Sequence, residues 1–229
     1  MQAEGVLAAL SRLAEPDHRR GMARFGIETG QALGIPIPSL RRLARSLGRD
    51  HQLALKLWDS GVHEARILAG MVADPNQVTS GQMDSWSKDF DSWDLCDQVC
   101  NNLFDRTPLA YGKALDWSSA EPTFVKRAGF VLMAVLAAHD KQAPDGAFLS
   151  FFPAIRAQAN DSRNFVKKAM DWAVRQMGKR NLSLNAAALN LCTELESLGQ
   201  SAAWIARHAR RELISPAVQE RLRRSMKGL

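Results

Sequence analysis

Residues 123–139 read TFVKRAGFVLMAVLAAH. No polar face survives on this segment at helical spacing, and its only charges before His139 are Lys126 and Arg127. A helix that is apolar nearly all round is buried between neighbours, and a charge in its first turn must face a cleft, a carboxylate or a ligand. Arg127 is therefore either a phosphate contact or a structural ion-pair partner, with the spacing slightly favouring the ion pair.

On both sides of this segment the same helical spacing continues. Besides 122–138, helices are expected near 3–13, 18–32, 39–48, 51–60, 63–73, 79–88, 92–105, 107–117, 145–158, 162–178, 182–198, 200–212 and 215–227. Pro38-Ser39, Ser162 and Ser215-Pro216 fit N-cap or first-turn positions. Sustained polar/apolar alternation is missing, so strands are not expected. Many helices joined by short turns suggest a solenoid of stacked pairs, each burying a face on its neighbour. A compact irregular bundle fits the pattern as well.

The chain has 229 residues, 46% hydrophobic and 24% charged, which suits a single domain running from 1 to 229. Three cysteines, Cys96, Cys100 and Cys192, argue against a disulfide framework and for a reducing, cytoplasmic setting. No uncharged apolar run approaches the roughly 18 residues that span a bilayer, and the first residues lack signal-peptide character. No membrane association is expected. The net charge of +6 is uneven: residues 1–110 carry 12 Lys and Arg against 14 Asp and Glu, residues 111–229 carry 18 against 10. Such a basic half suits a polyanion, of which nucleic acid is the commonest.

Phosphate-loop, dinucleotide and hydrolase-elbow motifs are absent. His63-Glu64 begins like a zinc-protease helix but lacks the second histidine, and Cys96 and Cys100 read as buried thiols. No metal and no cofactor are expected.

Two segments place tryptophans unusually. From Trp93 to Phe104 the wheel groups Trp93, Cys96, Val99, Cys100, Leu103 and Phe104 on one side. Asp97 falls at the border beside the Trp93 indole, and Asp94 is expected to point to solvent. Asp97 is then either a shielded functional carboxylate or a boundary acid paired with an arginine. From Ser162 to Lys179, Val166, Met170, Ala173 and Met177 form the apolar stripe, and Lys168, Trp172, Arg175 and Lys179 fall nearly opposite. An aromatic plate among cations suits a sugar-phosphate backbone. Equally, Trp172 is a seam residue covered by Lys and Arg stems.

Five segments in order resemble the AlkD-type DNA alkylation repair family of DNA glycosylases. They are Gly34-Ile35-Pro36-Ile37-Pro38-Ser39-Leu40-Arg41-Arg42-Leu43-Ala44, Leu57-Trp58-Asp59-Ser60-Gly61-Val62-His63-Glu64-Ala65-Arg66, Trp93-Asp94-Leu95-Cys96-Asp97, Phe124-Val125-Lys126-Arg127-Ala128, and Phe165 through Arg175. The resemblance implies an all-α, HEAT-like solenoid with a concave basic groove around double-stranded DNA, acting as a monomer. It implies hydrolysis of the N-glycosidic bond of N3- and N7-alkylated purines in base excision repair, with no cofactor. By position, Asp97 matches the catalytic carboxylate, Trp93 and Trp172 the aromatic walls, and Arg127 a backbone-contacting arginine. Lys168, Arg175 and Lys179 join Arg127 as expected DNA contacts. Arg207, Arg210, Arg211, Arg221, Arg223, Arg224 and Lys227 are either backbone contacts or a solvated end. Two other functions fit a helical-repeat chain: a non-catalytic binder of distorted or branched DNA, and a protein-binding scaffold.

Overall fold

A computed structural model describes residues 2–227, with the side chains of 225–227, Lys227 among them, outside the described set. The described residues form α-helices and short 3-10 turns, without strands. They divide into two compact units, residues 1–108 and 109–229.

In the first unit the helices are α1 (Ala3–Arg12), α2 (Pro16–Met22), α3 (Ile37–Leu47), α4 (His51–Asp59), α5 (His63–Val72), α6 (Ser80–Lys88) and α7 (Trp93–Asn102). Helix α5 is central: α3, α4 and α7 all pack on it. Local chemistry starts two of these helices. The Asp50 carboxylate accepts from the Leu53 amide at 2.9 Å, and the Thr79 hydroxyl accepts from the Gln82 amide at 3.1 Å. Trp58 and Trp86 stack at 3.9 Å, and the Trp58 indole donates to Asp89 Oδ2 at 2.7 Å. Arg66 lies 5.4 Å from the Trp58 ring centre, so the Trp58 and Arg66 of the second matching segment serve the core of this unit.

The helix expected over 18–32 ends at Met22, followed by a 3-10 turn at Ala23–Phe25. Gly26 then adopts φ +72°, which terminates the helical path. The chain to Pro36 is irregular yet tied down. Glu64, buried at the start of α5, accepts from the amides of Leu33 (2.7 Å), Gly34 (2.6 Å) and Ile35 (3.2 Å). Glu15 N–H donates to the Leu33 carbonyl, and His63 N–H to that of Gln31. Gly34 has φ +81°, and a side chain there would strike the backbone of Glu15 and Arg19.

The second unit contains α8 (Ala110–Ser118), α9 (Thr123–His139), α10 (Asp145–Leu149), α11 (Phe152–Gln158), α12 (Asn164–Gly178), α13 (Leu182–Leu195), α14 (Gln200–Leu213) and α15 (Pro216–Lys227). Helix α9 is packed between α8 and α12, and 128–137 are all buried, as an apolar circumference requires. Helices α13 and α14 pack on α12 and on each other. The single helix expected over 145–158 is broken at Ser150-Phe151, with Pro153 in the first turn of α11. Ser162 does not cap α12, whose N-cap is Arg163. Gly129 permits the close approach of α9 to α8: a Cβ there would lie 2.5 Å from Ser118 N. Gly129→Ala is expected to cost about 1–3 kcal/mol from this overpacking, against a helix-propensity gain of about 1 kcal/mol. A thermal melt showing no loss would remove the close-packing argument.

Candidate functional site

On α7 the wheel is realised in part. Leu95, Cys96, Val99 and Cys100 are fully buried, while Trp93, Asp94, Asp97 and Gln98 are half-buried. Trp93 packs on Met22, Ile27 and Ala32, and its Nε1–H donates to the Phe25 carbonyl at 3.0 Å. The indole is thus fixed at both its apolar and polar ends. Asp97 emerges one turn later on the same helix. Its charge reaches the neighbouring thiol: burial, with Cys96, Asp97 and Asp105 adding to it, holds Cys100 well above the usual thiol range. All three cysteines are buried thiols that form no disulfide.

Asp94 departs from expectation. It does not point to solvent: its side chain is 15% exposed, and Oδ2 lies 2.9 Å from His63 Nε2. The wheel placed Asp94 off the apolar face of α7, but α5 packs there and supplies the partner. Burial works against both charges. The hydrogen bond and opposite charge outweigh it, so His63 titrates above 6.5 and Asp94 below 3.8, the latter helped by Ser92 and the Leu95 amide. The raised histidine stabilises the fold most below pH 6.5, and that share is lost as pH rises through its folded value. The lowered aspartate contributes above pH 3.8, and its share is lost as pH falls through its folded value. Melting temperature should therefore decline above pH 6.5, and His63→Gln should flatten that decline. An unchanged pH profile in the variant would show that the pair carries no linkage.

The cationic stripe on α12 is present but partly neutralised. Arg175 Nη1 lies 2.6 Å from Glu212 Oε2, and Lys179 Nζ lies 2.7 Å from Glu212 Oε1, both across to α14. Arg175 Nε also meets Asp171 Oδ2 at 3.0 Å, and His208 Nδ1 lies 2.9 Å from Asp171 Oδ1. Burial opposes ionisation of Glu212, but Lys179 and Arg175 hold its pKa below the usual range. Trp172 is half-buried and Lys168 exposed on this face. Sequence spacing exposed the cations and missed their counterions, because Glu212 arrives from another helix.

Arg127 is 6% exposed, and its Nη1 donates to the Phe165 carbonyl at 2.6 Å, holding α9 to α12. Lys126 is equally buried and meets Gln158 Oε1 at 3.0 Å and Asp161 Oδ2 at 3.3 Å. The charged first turn of α9 thus finds both a carbonyl and a carboxylate. Arg163 and Lys126 hold the Asp161 pKa down to about 2. A second aromatic–basic group went unread in the sequence. Trp204 stacks on His208 at 5.0 Å, with Lys167 Nζ 4.8 Å from the indole centre. The i, i+4 spacing of Trp204 and His208 on α14 was the available signal.

The family model for DNA alkylation repair enzymes matches residues 6–213. The chain belongs to that family. A solved structure superposes with a TM-score of 0.76 over 92% of this chain and 95% of that one, at 19% identity. It represents a family of proteins described as related to the HEAT-like repeat DNA glycosylases, with affinity for branched DNA structures. The fold is accordingly the HEAT-like repeat fold. No curated protein matches the chain.

Proposed function

We propose that this chain is a monofunctional DNA glycosylase that releases N3- and N7-alkylated purines from duplex DNA. The observation that carries the reading is the α7 turn: Trp93 anchored by the Phe25 carbonyl, with Asp97 one turn on, both half-buried. Membership of the DNA alkylation repair family supports it.

Alkylation at N3 or N7 leaves the purine cationic, so the base departs with the C1′–N electron pair and needs little protonation. Positive charge then grows on the deoxyribose. A carboxylate beside the sugar opposes that charge, and here the group assigned is Asp97. Water forms the new C1′–O bond, and Asp97 orients it and takes its proton. The negative face of the Trp93 indole favours a cationic sugar. Lys168, exposed on α12, is the first candidate for phosphate contact. Arg175 and Lys179 supply further positive charge shared with Glu212. Arg127, buried against Phe165, sets the position of α9 behind them.

Incubation with N-methylated duplex DNA, followed by chromatography of the released bases, tests the reading. Lys168→Ala should weaken binding of all duplexes alike and reduce the salt slope by about 1. A slope and affinity unchanged from wild type would remove Lys168 from the interface. The solved relative's affinity for branched DNA favours a second reading, a non-catalytic binder of branched DNA. Wild-type protein that binds branched DNA tightly and releases no base would establish that second reading.

A further inference from the structure

Trp93, Asp97 and Asn101 stand at successive four-residue steps on α7 and turn only about 40° per step, so they form one ridge of the helix. All three are half-buried. Other polar side chains on this side of α7 are committed: the Trp93 indole to the Phe25 carbonyl, Asp94 to His63 at 2.9 Å, and Gln98 Oε1 to the Asn102 amide at 3.1 Å. Asn101 differs. Its side chain has no hydrogen bond to any described residue, and its amide stays open to solvent. A half-buried amide without a protein partner keeps both a donor and an acceptor for water or substrate.

Neighbours one turn apart on a helix hold their Cβ atoms about 5–6 Å apart. That gap is about twice an O–H···O hydrogen bond of roughly 2.7–2.8 Å, so the head groups of Asp97 and Asn101 have room for one water between them. An ionised carboxylate accepts at two oxygens, so Asp97 takes a water beside its protein contacts.

We propose that Asn101 is a further catalytic residue, which with Asp97 holds the attacking water. This role rests on the glycosylase reading. A water that attacks C1′ aims a lone pair at the sugar, and its two O–H bonds then point at acceptors. Asp97 accepts the proton that it takes. Asn101 Oδ1 accepts the other, which stays on the new hydroxyl. The base leaves with the C1′–N electron pair, and the water oxygen supplies the pair of the C1′–O bond. Two acceptors on one ridge fix the orientation of the water, which a lone carboxylate does not. Asn101 is neutral, so it does this without setting a second negative charge beside Asp97.

Methanol separates this role from a structural one. Its one O–H goes to Asp97, and its methyl group falls where the second O–H of water would meet Asn101. Full-length protein is given duplex carrying 7-methylguanine in water–methanol mixtures, and single-turnover base release is followed by chromatography. Alkali cleaves the strand at an abasic sugar but not at its methyl glycoside, and so reads which nucleophile added. Asn101→Ala should melt and bind duplex as wild type, release base at least about tenfold more slowly, and raise the methyl glycoside share severalfold. Asn101→Asp restores the second acceptor and should return the share to wild type, while its charge moves the acid limb of the rate profile to higher pH. Wild-type release and share in folded Asn101→Ala overturn the proposal. Slower release with an unchanged share overturns it too, and marks a structural role. Should Asn101→Ala melt lower, Asn101→Asp decides, and an unmoved acid limb overturns the proposal. Wild-type protein that releases no base removes the glycosylase reading and this role with it, an outcome distinct from release that is blind to residue 101.

Discussion

Asp97→Asn is expected to lower 7-methylguanine release from alkylated duplex by at least about 100-fold, the scale of losing one electrostatic group aimed at developing charge. Asn keeps the shape and much of the hydrogen-bonding capacity of Asp97, so the helix and the buried stripe of Leu95, Cys96, Val99 and Cys100 should be undisturbed. Loss of the negative charge removes the field opposing the oxocarbenium-like sugar. Affinity for undamaged duplex should stay near wild type, or rise slightly, because a like charge to phosphate has gone. Chromatography of free bases reads the first effect, and a salt titration of binding reads the second. Wild-type release by the Asn variant would end the assignment of Asp97. Equal loss of release and of binding would place it in DNA docking instead.

Glu64→Ala should produce the largest stability loss. The carboxylate accepts from three backbone amides, Leu33, Gly34 and Ile35, and is 1% exposed. Removing it strands the buried amides of Gly34 and Ile35 and the half-buried amide of Leu33. Each stranded buried donor costs about 1–3 kcal/mol, so a total of about 3 kcal/mol or more is expected. For a chain of this size that corresponds to a fall of about 6–12 °C in melting temperature. Amide hydrogen exchange at the three donors should accelerate together. A melt within about 1 °C of wild type, with their exchange unchanged, would show that water replaces the carboxylate at no cost. The effect reaches the candidate site, because the same 26–36 segment carries Ile27 under Trp93.

How far the site could be read in advance depended on distance along the chain. The α7 wheel placed Trp93 and Asp97 on adjoining positions and buried both cysteines, since one turn of helix fixes those angles. Asp94 was misplaced because its partner, His63, stands 31 residues away on α5. Glu64 looked like a fragment of a metal motif, and its three amide partners were invisible because they lie about 30 residues away, in the connection just past the helix expected over 18–32. Gly26 and Gly34, both at positive φ, are the local marks that this segment leaves the helix.

Periodicity and composition alone required an all-helical chain, a fully wrapped α9 and a basic second half, because each follows from neighbours within a few turns or from a simple sum of charges. Which acid meets which base was settled only by packing. Glu212 partly neutralises Arg175 and Lys179 from 37 and 33 residues away, and Phe165 offers its carbonyl to Arg127 from 38. A helical wheel assigns a residue to a face, but only the helix docked on that face decides whether its charge meets a counterion, a carbonyl or water.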